Sequence, residues 1–545
     1  MSNLQPTKRT LVSAQYNWVD RLVSVFNPIK GAKRAVARTG INAISSLNST
    51  GFITPGKNKR SMRGWFTSNG SADKDTLGDL KNSRSASRDL VMNTPVAVAA
   101  LNRKKSNVIG YGLQLQCRID RRALGLTEEA AAEWERNTER EWKVWAGSKN
   151  CDVTRTQNFN QLQQLAFYSK ILSGDAIAIL PFKKTKNFPY KLRVKLIEGD
   201  RLSNPNNYED ISSTKLRGGI EVNNDGAPIA YHIQATHPGD YQINTKWIRV
   251  PAFGSRSGRR NVLHVFNKDR PGQRRGMPEL APVMEQLKQL SRLSEAELMG
   301  ALVSAFYTVF VETEAGDAGM MDGFPEGDTV NAGAADEDQT YDLASGNIVD
   351  LKAGEKVSFA DPKRPNAAYE PFHNALVKQI AAAINMPYSV VMLHFTASYS
   401  AARGELLEAY KAFVIERLNF AADFNQPIYE EFLNEAVLNG RISAPGYLNN
   451  STLRMSWSST KWVGPGPGQL DPKKETTAAV ERINNRLSTY EDESQLLGNG
   501  DWEGNMDRLE SETKTLTAKG LDPVSASGSN PDNSEDDDDD GKEEK

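Results

Sequence analysis

A chain of 545 residues with 39% hydrophobic and 25% charged residues has the make-up of an ordinary globular protein with several cores. No apolar run approaches the roughly 18 residues of a membrane span, and two cysteines (Cys117 and Cys151) exclude a disulfide framework and fit a reducing compartment such as a bacterial cytoplasm. Residues 1–64 carry eleven Lys and Arg against one acid, and residues 531–545 carry nine acids against two Lys. Taking those ends out of the total charge of −1 leaves a body near −4, which does not predict a tight grip on DNA.

In chain order, residues 1–83 read as a basic, partly disordered arm. Within it, Trp18, Val19, Leu22, Val23 and Phe26 have the spacing of a docking helix. Residues 84–145 read as mainly helical: Asn93-Thr94-Pro95 opens one helix over 96–108, and Trp134, Trp142 and Trp145 mark another. Between them Gly110-Tyr111-Gly112 breaks into the alternating run 113–116. A third helix runs from about Asn160 to Ser173-Gly174-Asp175. Residues 176–270 read as short strands, with Asn224-Asp225-Gly226 as a hairpin turn.

The longest predicted helix covers 278–306, a rod of roughly 40 Å, striped by Leu280, Val283, Leu287, Leu290, Leu293 and Leu298. Residues 312–342 are acidic and Gly-rich, an exposed loop. Strands follow at 347–351 and 356–359, then a helix at 372–384 stopped by Met386-Pro387. His394 to Ser400 is a hydroxyl-rich loop, and a helix over 401–439 has Pro427 as its expected kink. Leu453–Trp457 reads as a strand, 464–468 as a Gly-Pro linker, 471–519 as helices and 521–545 as a disordered acidic tail.

Catalytic patterns are missing where they would be expected. The five histidines (His232, His237, His264, His373, His394) show no zinc spacing, no phosphate-cradling loop of the P-loop type occurs, and no cofactor is implied. Arg256 occupies the centre of Gly254–Gly258, so it is not a nucleophile elbow. The acids Asp317, Asp322, Glu326, Asp328, Asp336, Glu337 and Asp338 do not follow a calcium-loop spacing and read as a solvated loop. Asp175 reads as a helix-to-strand junction. Glu198 and Asp200 form a possible nuclease pair without a visible third ligand.

Taken in order, several short pieces resemble the lambda family of phage portal proteins. They are Arg84 to Leu90, Asn93-Thr94-Pro95, Asn107 to Leu113, Ser173-Gly174-Asp175, Leu196 to Pro205, Tyr231-His232-Ile233 and Arg270 to Gly276. Glu295 to Met299, Pro362 to Asn366, Ser398 to Arg403, Gly440-Arg441-Ile442, Trp462 to Pro465 and Asp471 to Glu475 continue the series over about 84–510. The resemblance implies an α+β portal fold assembled as a ring of about twelve subunits. It divides the chain into a wing (84–276), a first stem helix (277–306), a clip (307–370) and a second stem helix (371–386). A tunnel loop (387–403), a long wing helix with a returning strand (404–463) and a crown (464–520) follow.

The function it implies is non-enzymatic: a conduit for duplex DNA at one capsid vertex, in the virion and, during assembly, in the host cytoplasm. Implied partners are further copies of the chain, the terminase large subunit, the major capsid protein and head–tail completion or adaptor proteins, with no membrane. His394, Thr396, Ser398, Tyr399, Ser400 and Arg403 are the expected sequence-blind DNA contacts. Arg403 has an alternative partner in Glu405 or Glu408 of its own helix. Lys378, Lys288 and Arg292 are candidates for the lumen or a neighbouring subunit, and the seven clip acids for partner docking. Another head–tail connector component, or a metal-dependent nuclease, is the competing reading.

Overall fold

The computed structural model describes residues 69–208, 210, 215–241, 246–305, 309–313, 355–359, 366–395, 398–468, 471–498 and 502–521. The Trp18–Phe26 stripe, the seven clip acids, Thr396, the expected strand at 347–351 and the acidic tail lie outside these residues.

Helices open where a polar cap precedes apolar spacing. α1 (Ala72–Asn93) starts at Ser71, whose side chain accepts from Lys74 N, twelve residues before the predicted end of the arm. Thr94-Pro95 separates it from α2 (Pro95–Val108), because proline suits a first turn and not an interior. After β1 (Gln114–Cys117) and the short α3 (Arg121–Leu124) comes α4 (Glu128–Gly147). Its Trp142 ring meets Phe159 and Phe432 edge-on, each at 5.1 Å. α5 (Phe159–Ser173) is closed by a reciprocal cap between Asn158 and Gln161.

Every sheet pairing among the described strands is antiparallel. β2 (Asp175–Ile179) lies between β3 (Lys195–Ile197) and β8 (Val262–Phe266). β4 (Leu216–Arg217), β5 (Ile220–Val222), β6 (Pro228–Gln234) and β7 (Trp247–Pro251) form a meander, with the predicted turn at Asn224-Asp225-Gly226 between β5 and β6. A small second core, including Ile177, Ile220, Tyr231 and Val262, sits between these two sheets. β7 was not predicted, since its Lys246-flanked, Arg249-bearing run lacks a clean apolar alternation.

α6 (Met284–Ala305) is shorter than the predicted rod. Residues 279–280 form a turn and Ala281–Val283 a 3-10 segment with Pro282 in its first turn, where its missing N–H costs nothing, and these lead into the α-helix. The 22 residues of α6 span roughly 33 Å. α7 (Tyr369–Ala383) runs back along it, with Tyr369 Oη donating to Ser294 Oγ at 3.0 Å. Leu280, Val283, Leu287 and Leu290 are buried, but Leu298, Met299 and Leu302 remain 62%, 56% and 47% exposed. The stripe therefore serves the chain's own core only in its first half. Beyond the rods, β9 (Val309–Thr313) pairs with β10 (Glu355–Phe359); β9 was not anticipated.

α8 (Tyr388–Met392) follows Pro387. α9 (Tyr399–Phe420) passes through a π-helical segment, Ala421–Asn425, into α10 (Gln426–Leu438). The irregularity falls just before Pro427, where the missing N–H and the ring's bulk relax the ladder into a wider turn. Leu453–Trp457 belongs to a helix, α11 (Ser451–Trp457), and not to a strand: Asn450 accepts from Thr452 N and Leu453 N and starts it. β11 (Thr460–Val463) pairs with β1. α12 (Pro472–Asn484), α13 (Tyr490–Leu496) and α14 (Trp502–Ala518) complete the described chain. None of the described helices is long and apolar enough to cross a membrane.

Candidate functional site

Four of the sequence pieces that are far apart in the chain meet in one buried knot around Asp175. Its carboxylate accepts from Arg84 Nη2 at 2.8 Å and from Arg275 Nε at 2.6 Å, while His264 Nε2 lies 3.4 Å away. Arg275 also donates to the carbonyls of Leu202, Gly218 and Gly199 at 2.7, 2.7 and 2.6 Å, and Arg84 donates to Ser173 O at 2.8 Å. Burial alone would raise the Asp175 carboxyl, but Arg275 and Arg84 outweigh it and hold the group well below the usual carboxylate range. Gly174 (φ 89°) and Gly276 cross here. A Cβ on Gly276 would stand 1.9 Å from Gly174 O, so the two backbones touch where no side chain fits. Among the described residues, no buried side-chain atom of Asp175, Arg84, Arg275 or His264 is left without a hydrogen-bond partner. The knot is architecture, as the junction reading of Asp175 expects.

Asp200 beside it forms an ion pair with Arg88. The nuclease reading gains a third candidate ligand, since Glu198, Asp200 and His237 place one ligand atom each within 4.8 Å of the others. Yet Gly239 N–H donates to His237 Nδ1 at 3.0 Å, and Nε2 lies 3.1 Å from a Glu198 oxygen without forming a hydrogen bond to it. A ligating histidine has the reverse arrangement, with its second nitrogen donating outward. With Asp200 already paired with Arg88 and His237 Nδ1 accepting an N–H, the donor set is poorly suited to a cation.

A second joint holds the bases of both rods. Lys104, on the buried face of α2, pairs with Glu279 before α6 and with Glu416 on α9, and reaches Ile384 O after α7 at 3.4 Å. Burial pushes the Glu279 carboxyl up and pulls the nearby Lys170 ammonium down. Sequence reading missed Lys104. The available signal was its place in the stripe Ala97, Ala100, Leu101, Lys104, Val108, where a lone cation interrupts an apolar face.

The segment after this joint differs in detail from the predicted loop. α8 ends on Leu393 at φ 53°, a left-handed position uncommon for leucine, and Leu393, His394 and Phe395 are exposed. Ser398 holds the N-cap position of α9 without a side-chain capping bond, so Tyr399 and Ser400 stand in its first turn and not in a loop. Arg403 Nη1 lies 3.4 Å from Glu475 on α12. The two in-helix partners considered for it are engaged elsewhere: Glu405 accepts from Ser389 Oγ at 2.7 Å, and Glu408 from Lys411 at 2.5 Å. Among the stem candidates, Lys288 lies 3.7 Å from Asp89 of α1, Lys378 sits over the Tyr388 ring at 5.6 Å, and Arg292 is exposed. The structure thus brings His394, Ser398, Ser400 and Arg403 to one end of α9, with Lys378 near Tyr388 beside them.

Residues 58–417 match the family described as phage portal protein, lambda family. The chain belongs to that family. The stretch that carries the match holds the Asp175 knot, the Lys104 joint, both rods and the Leu393–Arg403 segment. Over 479 residues the chain is 26% identical to portal protein B of Escherichia phage lambda, covering 85% of this chain and 89% of that one. The portal protein of Escherichia phage N15 gives the same identity and coverage. Among solved structures, a chain in the virion of a native gene transfer agent particle is 13% identical, with a TM-score of 0.39 over 77% of this chain and 93% of that one.

Proposed function

We propose that this chain works as a portal: copies of it close into a ring of about twelve at one capsid vertex, and duplex DNA passes through the ring. The family match over 58–417 carries this reading. The role is structural rather than catalytic, exercised in the virion after assembly in the host cytoplasm. The half-buried leucine stripe supports assembly, because Leu298, Met299 and Leu302 lie on the part of α6 beyond Tyr369, where the chain's own α7 no longer covers them. A second copy supplies the cover.

In this reading the end of α9, with His394, Thr396, Ser398, Tyr399, Ser400 and Arg403, lies along the DNA path, and Lys378, Lys288 and Arg292 face the lumen or a neighbour. The seven acids from Asp317 to Asp338 offer a polar face to the terminase large subunit and then to completion or adaptor proteins; the wing meets the major capsid protein. Two successive partners on one face favour a moderate, exchangeable contact.

Two measurements test the reading. Light scattering and averaged electron micrographs of the purified chain should show rings with an axial hole, and Leu298→Asp with Leu302→Asp should leave monomers. A parent chain that stays monomeric at micromolar concentration in every salt removes the proposal. Arg403→Glu should still give rings and procapsids but shorten the DNA protected from nuclease, more so at low salt, because one reversal per subunit alters the lumen by about two charges times the copy number. Full-length retained genomes in that variant would take Arg403 out of the DNA path.

A further inference from the structure

The near-neutral body conceals a local excess of positive charge. From Lys149 to Lys195 the chain carries nine Lys and Arg against two acids, Asp152 and Asp175. Asp175 is locked in the knot, and Asp152 accepts from Thr154 N and Thr156 N at 3.0 and 3.1 Å. Residues 182–192 fold back on themselves: Phe182 bridges Leu192, and Lys183 N donates to Lys191 O at 2.7 Å. Lys183 and Lys191 therefore sit side by side, with Lys184 and Lys186 leading into the turn at Asn187 (φ 60°).

Arg155, which is exposed, donates to Thr185 Oγ1 at 3.3 Å; beneath it the buried Arg193 donates to the same hydroxyl at 2.9 Å and to the carbonyls of Tyr190 and Leu192, bracing the hairpin from inside. Neighbouring carboxylates are engaged elsewhere. Glu435 accepts from Lys191 N and Leu192 N at 2.6 and 2.9 Å, and Glu141 is held by Arg441. Among the described residues these six cations have no carboxylate within ion-pair distance.

Like charges placed opposite each other on a ladder are destabilising, so this hairpin gains when an anion joins it. Cross-strand and diagonal neighbours stand about 5–8 Å apart. Such a rigid grid suits phosphates that a duplex already holds in place, whereas an acidic peptide must first be ordered at an entropic cost. The hairpin packs at the far end of α10, beside Glu435, while the Leu393–Arg403 segment leads into α9. At 1.5 Å per residue the near-continuous helix from Tyr399 to Glu435 puts roughly 50 Å between them.

We propose that the exposed Lys183, Lys184, Lys186 and Lys191 of the hairpin, with Arg155, are a second contact for duplex DNA that grips the phosphate backbone regardless of sequence, outside the conduit. The inference rests on the portal reading only for the presence of DNA. The test is fluorescence anisotropy of a labelled duplex of about 20 base pairs with the full chain at several salt concentrations. Lys183→Glu with Lys184→Glu and Lys186→Glu should weaken binding at least about tenfold and reduce the salt slope by about three.

The corresponding triple Gln variant should bind weakly yet unfold no earlier than the parent, because it relieves like-charge repulsion; this separates lost contact from lost fold. Lys411→Glu, a reversal on the exposed face of α9 away from the hairpin, should bind the duplex as the parent does. Binding that survives the triple reversal but disappears in Arg403→Glu overturns the inference and leaves the conduit reading intact. Duplex binding that appears only after residues 531–545 are removed assigns the patch to the chain's own acidic end, and also overturns it. The conduit reading fails separately, on ring formation.

Discussion

Asp175→Asn is expected to destabilise the folded chain by about 3–5 kcal/mol, because it leaves Arg84 and Arg275 buried without the charge that balances them. The carbonyls of Ser173, Leu202, Gly218 and Gly199 still accept from both guanidiniums, so the hydrogen bonds survive in part and the lost charge dominates. Urea unfolding should show a lower midpoint at an unchanged slope. An unchanged midpoint would mean that water reaches the knot.

The pH dependence separates the members of the knot. Asp175 is held below the usual range, so its contribution is complete above an unfolded carboxylate value of about 3.9 and is lost only as pH falls through the much lower folded value. His264 behaves differently: burial lowers it, so the fold resists its protonation and stability declines as pH drops below about 6.5. The parent should therefore lose stability between neutral and mildly acid pH. His264→Gln should flatten that limb, and a limb unchanged in His264→Gln assigns it to another group.

Lys104→Met is the second large effect, again about 3–5 kcal/mol, since it strands the Glu279 and Glu416 carboxylates with only Lys170 near them. Its pH response should have the opposite sign. The Glu279 carboxyl is already raised by burial, and losing the cation raises it further. An acid whose folded value exceeds its unfolded one adds stability as pH falls, so the gap between Lys104→Met and the parent should narrow at acid pH. Adding Glu279→Gln and Glu416→Gln should restore much of the loss at neutral pH. Melting curves of the single and triple variants at two pH values check this; a gap that widens in acid would refute the pairing.

What could be read from the sequence was what neighbours in the chain decide. The helix opening near Asn160, the tryptophan face of α4, the Asn224-Asp225-Gly226 turn and each rod taken singly follow from residues within a few turns of one another. Errors fell where local signals compete. The short apolar run at Leu453–Trp457 fits a strand until the Asn450 cap is weighed, and the turn and 3-10 segment before Met284 shorten the rod. The knot was legible only as fragments, because Arg84 and Arg275 reach Asp175 across 91 and 100 residues. For the site, the chemistry of residues 394–403 was visible, but the pairing of Arg403 with Glu475 depends on a helix about 70 residues later, which no spacing rule supplies.

The wider turn at Ala421–Asn425 carries a consequence for how this helix can vary. A π turn takes in one more residue than an α turn, so the positions after it are rotated by about 100° relative to a continuous α-helix. The buried faces on its two sides, Phe413 and Phe420 before it and Ile428, Phe432 and Glu435 after it, are thus written in two different frames. Forcing this segment into α geometry at its present length would turn Phe432 off the Trp142 ring and Glu435 off the basic hairpin, whereas deleting one residue between 421 and 425 would give a regular helix with both contacts kept. In this stretch, chain length matters as much as residue type.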